Sequence, residues 1–222
     1  MGRPSTTLLS REKIRREALG LVDEVGLAGF SMRKLATALD VKAASLYFHY
    51  ATKDELLDDV ANEIMAEVDV SGFDGDEWRA ALRRWARSYR AALAAHPNIV
   101  PFLATGPGQR DASLRGADAV HGGLTRAGWP PREATMIGAS TKYLVLGAAM
   151  GSFSRGFVDD LTVYADRYPS LDRAHLLRGR ADEIDRASFE FALTAFLDGL
   201  ARQYELIESR RKARRRNGKD GA

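Results

Sequence analysis

Ser31-Met32-Arg33-Lys34-Leu35-Ala36-Thr37-Ala38-Leu39-Asp40-Val41-Lys42-Ala43-Ala44-Ser45-Leu46-Tyr47-Phe48-His49-Tyr50 carries two short apolar-periodic stretches separated by Asp40-Val41-Lys42. Leu35, Ala36, Leu39, Val41 and Leu46 fall on one seam, so two short helices joined by a tight turn can share it. Ser31 can cap the first helix, and Ala36 supplies the small residue needed where the helices cross. Asp40 tolerates left-handed turn dihedrals, though less comfortably than Gly. The form is helix–turn–helix, with the outer face of the second helix free to enter a major groove. The residue types on that face suit DNA. Arg33 and Lys42 can neutralise phosphates, and Arg33 can fork onto guanine. Ser45 can donate to a base edge, Ala43 and Ala44 can meet a thymine methyl, and Tyr47, His49 and Lys53 can donate to backbone oxygens. A packing hairpin with scattered surface charges would leave the same pattern, so this segment alone leaves both readings open.

Working outward, the periodicity predicts helices throughout. Residues 10–27 place Ile14, Ala18, Leu21, Val22 and Val25 on one face, with Ser10 as N-cap and Gly26 near the stop. A third short helix is expected over Ala43 to Tyr50. Thr52 and Glu55 form a capping box for a fourth, which ends near Ser71-Gly72. Further helices are expected over 76–95, 98–104, 111–127, from Pro130-Pro131 to about Phe157, and over 184–207. No stretch alternates with period two, so the fold class is all-α.

The chain has 222 residues and no cysteine, which excludes disulfides, thiolate metal sites and a thiol nucleophile. No apolar segment is long enough to span a bilayer and no secretory signal is visible, so a cytoplasmic location without membrane partners is expected. Gly2 and Thr6 formally match a myristoylation pattern, but Met1-Gly2-Arg3-Pro4 reads more simply as a polar arm. The net charge of +3 is unevenly spread: residues 1–53 hold nine Lys and Arg against five Asp and Glu, and residues 208–222 hold seven against two. The middle is acidic, so a basic end on an acidic body can orient on a polyanion. The expected organisation is a flexible basic arm (1–9), a helix–turn–helix domain (10–56), a helical body (57–207) and a disordered basic tail (208–222).

From Arg11 to Leu57 the chain resembles the N-terminal domain of TetR-type transcriptional regulators. The resemblance rests on Val25-Gly26-Leu27-Ala28-Gly29-Phe30, Ser31-Met32-Arg33-Lys34-Leu35-Ala36, Ser45-Leu46-Tyr47-Phe48-His49-Tyr50 and Lys53-Asp54-Glu55-Leu56-Leu57. It implies that Ser31, Met32, Arg33, Ala43, Ala44, Ser45, Tyr47, His49 and Lys53 face DNA. More weakly, Trp78, the Pro130 start and Phe189-Glu190-Phe191-Ala192-Leu193 before Leu197-Asp198-Gly199-Leu200 look like the tetracycline-repressor type of C-terminal domain. This implies a homodimer built through the last two long helices, where Gly147, Ala148, Ala149 and Gly151 would allow close approach. The implied function is that of a ligand-responsive regulator, most simply a repressor released from a palindromic double-stranded DNA operator by a small-molecule effector.

For that effector the candidate lining is Trp85, Tyr89, Phe102, Tyr143, Leu146 and Met150, with Thr105, His121 and Lys142 as polar contacts; no cofactor or metal is expected. The type member's metal–tetracycline site depends on histidines, and Asp69 stands at the corresponding place in this chain. Two other classes remain as alternatives, a non-specific DNA-binding protein resting on the tail and a helical enzyme. Catalytic signals are thin: His49, His96, His121 and His175 form no metal-spaced pair, and Ser152-Phe153-Ser154-Arg155-Gly156 is not a nucleophile elbow. No catalytic residue is assigned.

Overall fold

The computed structural model describes residues 9–75, 77–105, 110–165 and 167–217. Among them the secondary structure is helical, without strands: α1 (Arg11–Gly29), α2 (Met32–Ala38), α3 (Ala43–Tyr47), α4 (Lys53–Ala66), α5 (Trp78–Ala95), α6 (Val100–Thr105), α7 (Asp111–Arg126), α8 (Pro131–Ala149) and α9 (Ala181–Asn217). The expected all-α class with an N-terminal helix–turn–helix is what is observed. The arm at 1–9 lies outside the described residues apart from Leu9, as do Gly106-Pro107-Gly108 and the end of the tail, 218–222. The chain forms two compact units, Met1–Val68 with Ala91–Ala117, and Asp69–Arg90 with Asp118–Ala222.

In the first unit the helix starts follow from capping side chains. Ser10 accepts from the Lys13 amide (3.2 Å), Ser31 from Lys34 (3.3 Å) and Thr52 from Glu55 (3.0 Å). The Glu55 carboxylate reaches back to the Ala51 amide at 2.7 Å, one residue before the cap. Ile14, Ala18 and Val22 of α1 are fully buried together with Leu35, Leu46, Leu56 and Ala61. Each Leu or Ile so buried contributes about 1.5–3 kcal/mol. Above this core runs a charged seam between α1 and α4. Arg11 pairs with Glu55 (2.8 Å), and Arg15 pairs with Glu63 (2.7 Å) and Asp59 (3.3 Å). The buried Tyr50 hydroxyl donates to Asp59 at 2.6 Å. Burial, reinforced by that hydrogen bond, pushes the Tyr50 phenol well above its ordinary pKa. α4 runs unbroken through residues 56 and 57, where the sequence suggested a domain boundary.

The second unit is built on aromatic packing. Trp78 meets Trp129 edge to face at 5.2 Å, and Tyr204 lies against both while donating to the Ala127 carbonyl at 2.5 Å. Gly128 ends α7 at φ +106°, where a side chain would be strained. α5 and α9 run antiparallel, and one polar ladder records it. Arg87 pairs with Glu190 (2.6 Å), Arg83 donates to Thr194 (3.3 Å) and Arg79 pairs with Asp198. The Arg87 hydrogen bonds hold the Glu190 carboxyl below its usual range.

Four boundaries differ from expectation. α4 stops at Ala66 and not near Ser71-Gly72, as the Glu67 amide bonds back to the Ile64 carbonyl at 3.2 Å. α3 stops at Tyr47, because His49 and Tyr50 both bond back to the Leu46 carbonyl and turn the chain toward α4. α8 stops at Ala149 and not near Phe157: Gly147, Gly151 and Ser152 are poor helix formers. Between 150 and 180 the chain instead makes single 3₁₀ turns, at Ser154–Gly156, Leu161–Val163, Pro169–Leu171, Ala174–Leu176 and Arg178–Arg180. Finally, α9 continues to Asn217, through most of the stretch expected to be disordered. Arg202 pairs with Glu205 and Glu208 with Arg211 within the helix, and Arg and Lys are good helix formers.

Candidate nucleic-acid interface

The reading head is positioned by one strained residue. Asp40 has φ +53°, so the chain reverses there, and the Val41 amide bonds back to the Ala36 carbonyl at 2.9 Å. α3 then begins at Ala43 with Lys42 just before it. Leu46, fully buried, and Leu35 and Leu39 anchor the two helices. The opposite faces stay open: Arg33, Lys42, Ala44 and Tyr47 are exposed, and Ala43, Ser45 and His49 are half-buried. This set is a compact surface with two cations, a phenol, a hydroxyl and small side chains. It can meet phosphates and the floor of a groove, as the sequence suggests.

Three residues of the expected set are otherwise engaged. Met32 is buried, 6% exposed, and belongs to the core. Ser31 spends its hydroxyl oxygen on the Lys34 amide. Lys53 is half-buried, donates to the Leu27 (3.3 Å) and Phe30 (3.1 Å) carbonyls, and lies over the Phe30 ring. It therefore ties the end of α1 to the start of α4. Conversely, Phe48, outside the expected set, joins this surface. It follows Tyr47 at the end of α3 and is 89% exposed, an unusual position for a large apolar ring. The signal was available: Leu46 and Tyr50 are four apart and buried, which leaves the residue between them on the opposite side.

The effector candidates scatter. Trp85 and Tyr89 are buried and stacked at 6.1 Å in the second unit, with Phe73 edge-on to Trp85 at 6.2 Å. Phe102 and Thr105 belong to the first unit. There Phe102 lies under the Arg110 guanidinium, itself paired with Asp58 at 2.7 Å, and the Thr105 hydroxyl bonds to Pro101. His121 contacts the Pro131 carbonyl at 3.2 Å. Leu146 is half-buried, whereas Lys142 and Tyr143 are exposed on α8 and Met150 is exposed just after it. Tyr143 instead borders an open groove of about 390 Å³ with Gly147 and Gly151 of the α8 end and Ser188 and Ala192 of α9. Asp69 accepts from the Ser71 amide and hydroxyl, which holds its carboxyl below the usual range. Among the described residues, no cluster of acidic and histidine side chains could hold a metal, and no helix is long and apolar enough to cross a membrane.

Comparison with known proteins matches both units. Residues 14–60 fit the family described as bacterial regulatory proteins, tetR family, and residues 72–204 fit the tetracyclin repressor-like C-terminal domain. The tetracycline repressor protein class A from transposon 1721 of Escherichia coli is 32% identical over 213 residues, covering 91% of this chain and 95% of its own. The structure of a possible TetR family transcriptional regulator from Streptomyces coelicolor A3(2) superposes with a TM-score of 0.73 at 32% identity, covering 86% of this chain and 98% of the other. ActR of Streptomyces coelicolor, in complex with actinorhodin, gives a TM-score of 0.68 at 26% identity over 88% of this chain and 98% of the other.

Proposed function

The chain belongs to the TetR family of bacterial regulatory proteins and is a ligand-responsive, DNA-binding transcriptional regulator; from that premise we propose that it is a homodimeric repressor, released from an inverted-repeat operator when a small molecule binds its C-terminal body. The observation that carries the DNA half of this reading is the open face of the helix–turn–helix, with Arg33, Lys42, Ala44, Tyr47 and Phe48 exposed above a fully buried Leu46. Arg33 and Lys42 meet phosphates or guanine. Ala43, Ala44 and Ser45 meet base edges, and Tyr47, Phe48 and His49 pack against the sugar–phosphate backbone.

Homodimerisation is supported by the outer surface of α8 and α9 and the turn after α8. Tyr143 (71% exposed) and Phe153 (75%) border the groove that Gly147 and Gly151 keep shallow, and Phe191 (78%) stands in solvent on α9. Exposed aromatics of this density mark an association surface, and a two-fold partner would place two reading heads on half-sites ~34–36 Å apart. The effector's place is supported by the aromatic interior of the second unit around Trp85 and Tyr89 and by the relatives crystallised with ligands. An effector that favours the DNA-free dimer by ~1–3 kcal/mol would lower operator affinity 5- to 150-fold.

The test is selection of bound duplexes from a random library by the purified full-length protein at near-physiological salt. An enriched inverted repeat is the expected outcome. Binding without enrichment would replace this reading with a non-specific one.

A further inference from the structure

Among the described residues Arg110 is the one charged residue that is buried, at 8% exposure, and neither the reading surface nor the effector candidates give it a task. Burying a guanidinium is costly unless it is paired. Arg110 donates from Nε (3.0 Å) and Nη2 (2.7 Å) to one oxygen of Asp58 on α4, and it lies 5.1 Å from the centre of the Phe102 ring of α6. One turn further along α4, Asn62 accepts from the Ala112 amide at 2.9 Å. That bond is a helix cap supplied from a distance. α7 begins at Asp111, and the Leu114 amide bonds back to the Arg110 carbonyl at 2.9 Å, so Arg110 stands at the capping position. A guanidinium has no acceptor to offer the free amides of the first turn. The Asn62 oxygen takes the part that Ser10, Ser31 and Thr52 play for their own helices. The next residues of α4 hold the head. Asp59 and Glu63, again four apart, bind Arg15 of α1, and Asp59 also takes the hydroxyl of Tyr50, three residues beyond the end of α3. α4 thus carries two polar stripes ~100° apart, one toward α1 and the exit of α3, the other toward the start of α7. All of these residues lie in the first unit, and α7 runs on from there into residues of the second.

We propose that Arg110 is a positioning residue for operator binding: with Asn62 it locks the start of α7 onto α4, and so holds α4, and through it the exit of α3, in the arrangement that reads DNA. The inference rests on the DNA-binding reading above. A buried ion pair is a poor source of stability, since apolar side chains of similar volume often serve as well or better. What it adds is a defined arrangement, because Arg110 and Asp58 satisfy each other in one register only. A displacement of α4 by one residue would lose the pair and the Asn62 cap together, since both come from the same stripe. It would also disturb Asp59, which fixes the segment leaving α3. Arg110 acts from beneath this surface: its side chain is buried against Asp58 and Phe102 and is not presented to a phosphate.

The experiment is a double-mutant cycle in the full-length protein, made of Arg110→Met, Asp58→Asn and both together. Affinity is measured across a salt series for the duplex enriched by the parental protein and for an unrelated duplex. Sedimentation and thermal melting first establish assembly and folding at the temperature of measurement. Arg110→Met is expected to fold, since Met replaces the apolar stem and the Asp58 side chain, 37% exposed, can take up water. It should lower affinity for the enriched duplex by about tenfold, with the unrelated duplex and the salt slope unmoved. Asp58→Asn, which strands the guanidinium, should be at least as severe, and adding Arg110→Met to it should lower affinity no further. Asn62→Ala should act in the same direction, and Asn62→Asp, which keeps the acceptor, should restore binding. That second pair of variants carries the test if Asp58→Asn does not fold. Unchanged or raised affinity in Arg110→Met would overturn the proposal, as would additive losses in the cycle. So would equal losses on the two duplexes, the mark of a purely structural role. A flatter salt slope would put Arg110 on a phosphate and overturn it as well. A library that yields no enriched duplex would instead defeat the underlying DNA reading, so the two failures are distinguishable.

Discussion

The reading head and the outer surface of α8 and α9 are both helical, but they finish their surfaces in opposite ways. In the head, the described large apolar side chains are buried or half-buried except Val25, Tyr47 and Phe48, and the polar layer above α1 and α4 is paired: Arg11 with Glu55, Arg15 with Asp59 and Glu63, Tyr50 with Asp59. Around α8 and α9, Tyr143, Met150, Phe153 and Phe191 are all more than 60% exposed. The turns from 150 to 180 add Val158, Leu161, Tyr168 and Leu176. A chain that completes one surface and leaves another open has assigned them different partners. Where the head is open it suits a charged and grooved partner, whereas the α8–α9 surface suits an apolar one.

That contrast can be broken at either end. The largest effect is expected in the head, where Leu46→Ala removes a fully buried anchor of α3. It should lower stability by about 2–5 kcal/mol, read as a shift of the denaturation midpoint, and abolish duplex binding with it. At the open surface, Phe191→Glu should leave the fold intact, since the residue is 78% exposed, yet weaken self-association by roughly 100-fold in sedimentation equilibrium. A dimer of unchanged strength would place the interface elsewhere. Tyr50→Phe tests whether the polar layer of the head matters as much as its core. Losing the bond to Asp59 should destabilise by about 1–2 kcal/mol in chemical denaturation.

Two smaller effects sharpen the head's own surface. Tyr47→Ala and Phe48→Ala should each weaken binding to the selected duplex by about tenfold, or ~1.4 kcal/mol, with the thermal melt unmoved. A collapsed melt would mean that the ring is structural. Arg33→Ala should reduce the salt slope by about 1 per protomer, and an unaltered slope would show that Arg33 touches no phosphate.

The sequence made the head readable because its decisive signals are local. Ser10, Ser31 and Thr52 cap the helices that follow them, and the seam from Leu35 to Leu46 needs only helical spacing to be seen. What escaped depends on distant partners. Met32 could not be recognised as core without the helices around it, and Lys53 could not be seen bonding carbonyls 23 and 26 residues earlier. The effector candidates were chosen by residue type on amphipathic helices. That criterion cannot separate the inward Tyr89 from the outward Tyr143 when both faces of a helix carry apolar residues. At the end of α9 the run of like charge suggests disorder. The acid-to-base order along the helix and its internal pairs nevertheless favour helix, and they too are written in the sequence.

All three tryptophans of the chain, Trp78, Trp85 and Trp129, are buried in the second unit, and the reading head has none. The molecule is thus optically partitioned. Its intrinsic emission, excited at the indole band, reports on the unit that does not carry the helix–turn–helix. A change in that emission on adding an unlabelled duplex would be a direct record of communication from one unit to the other.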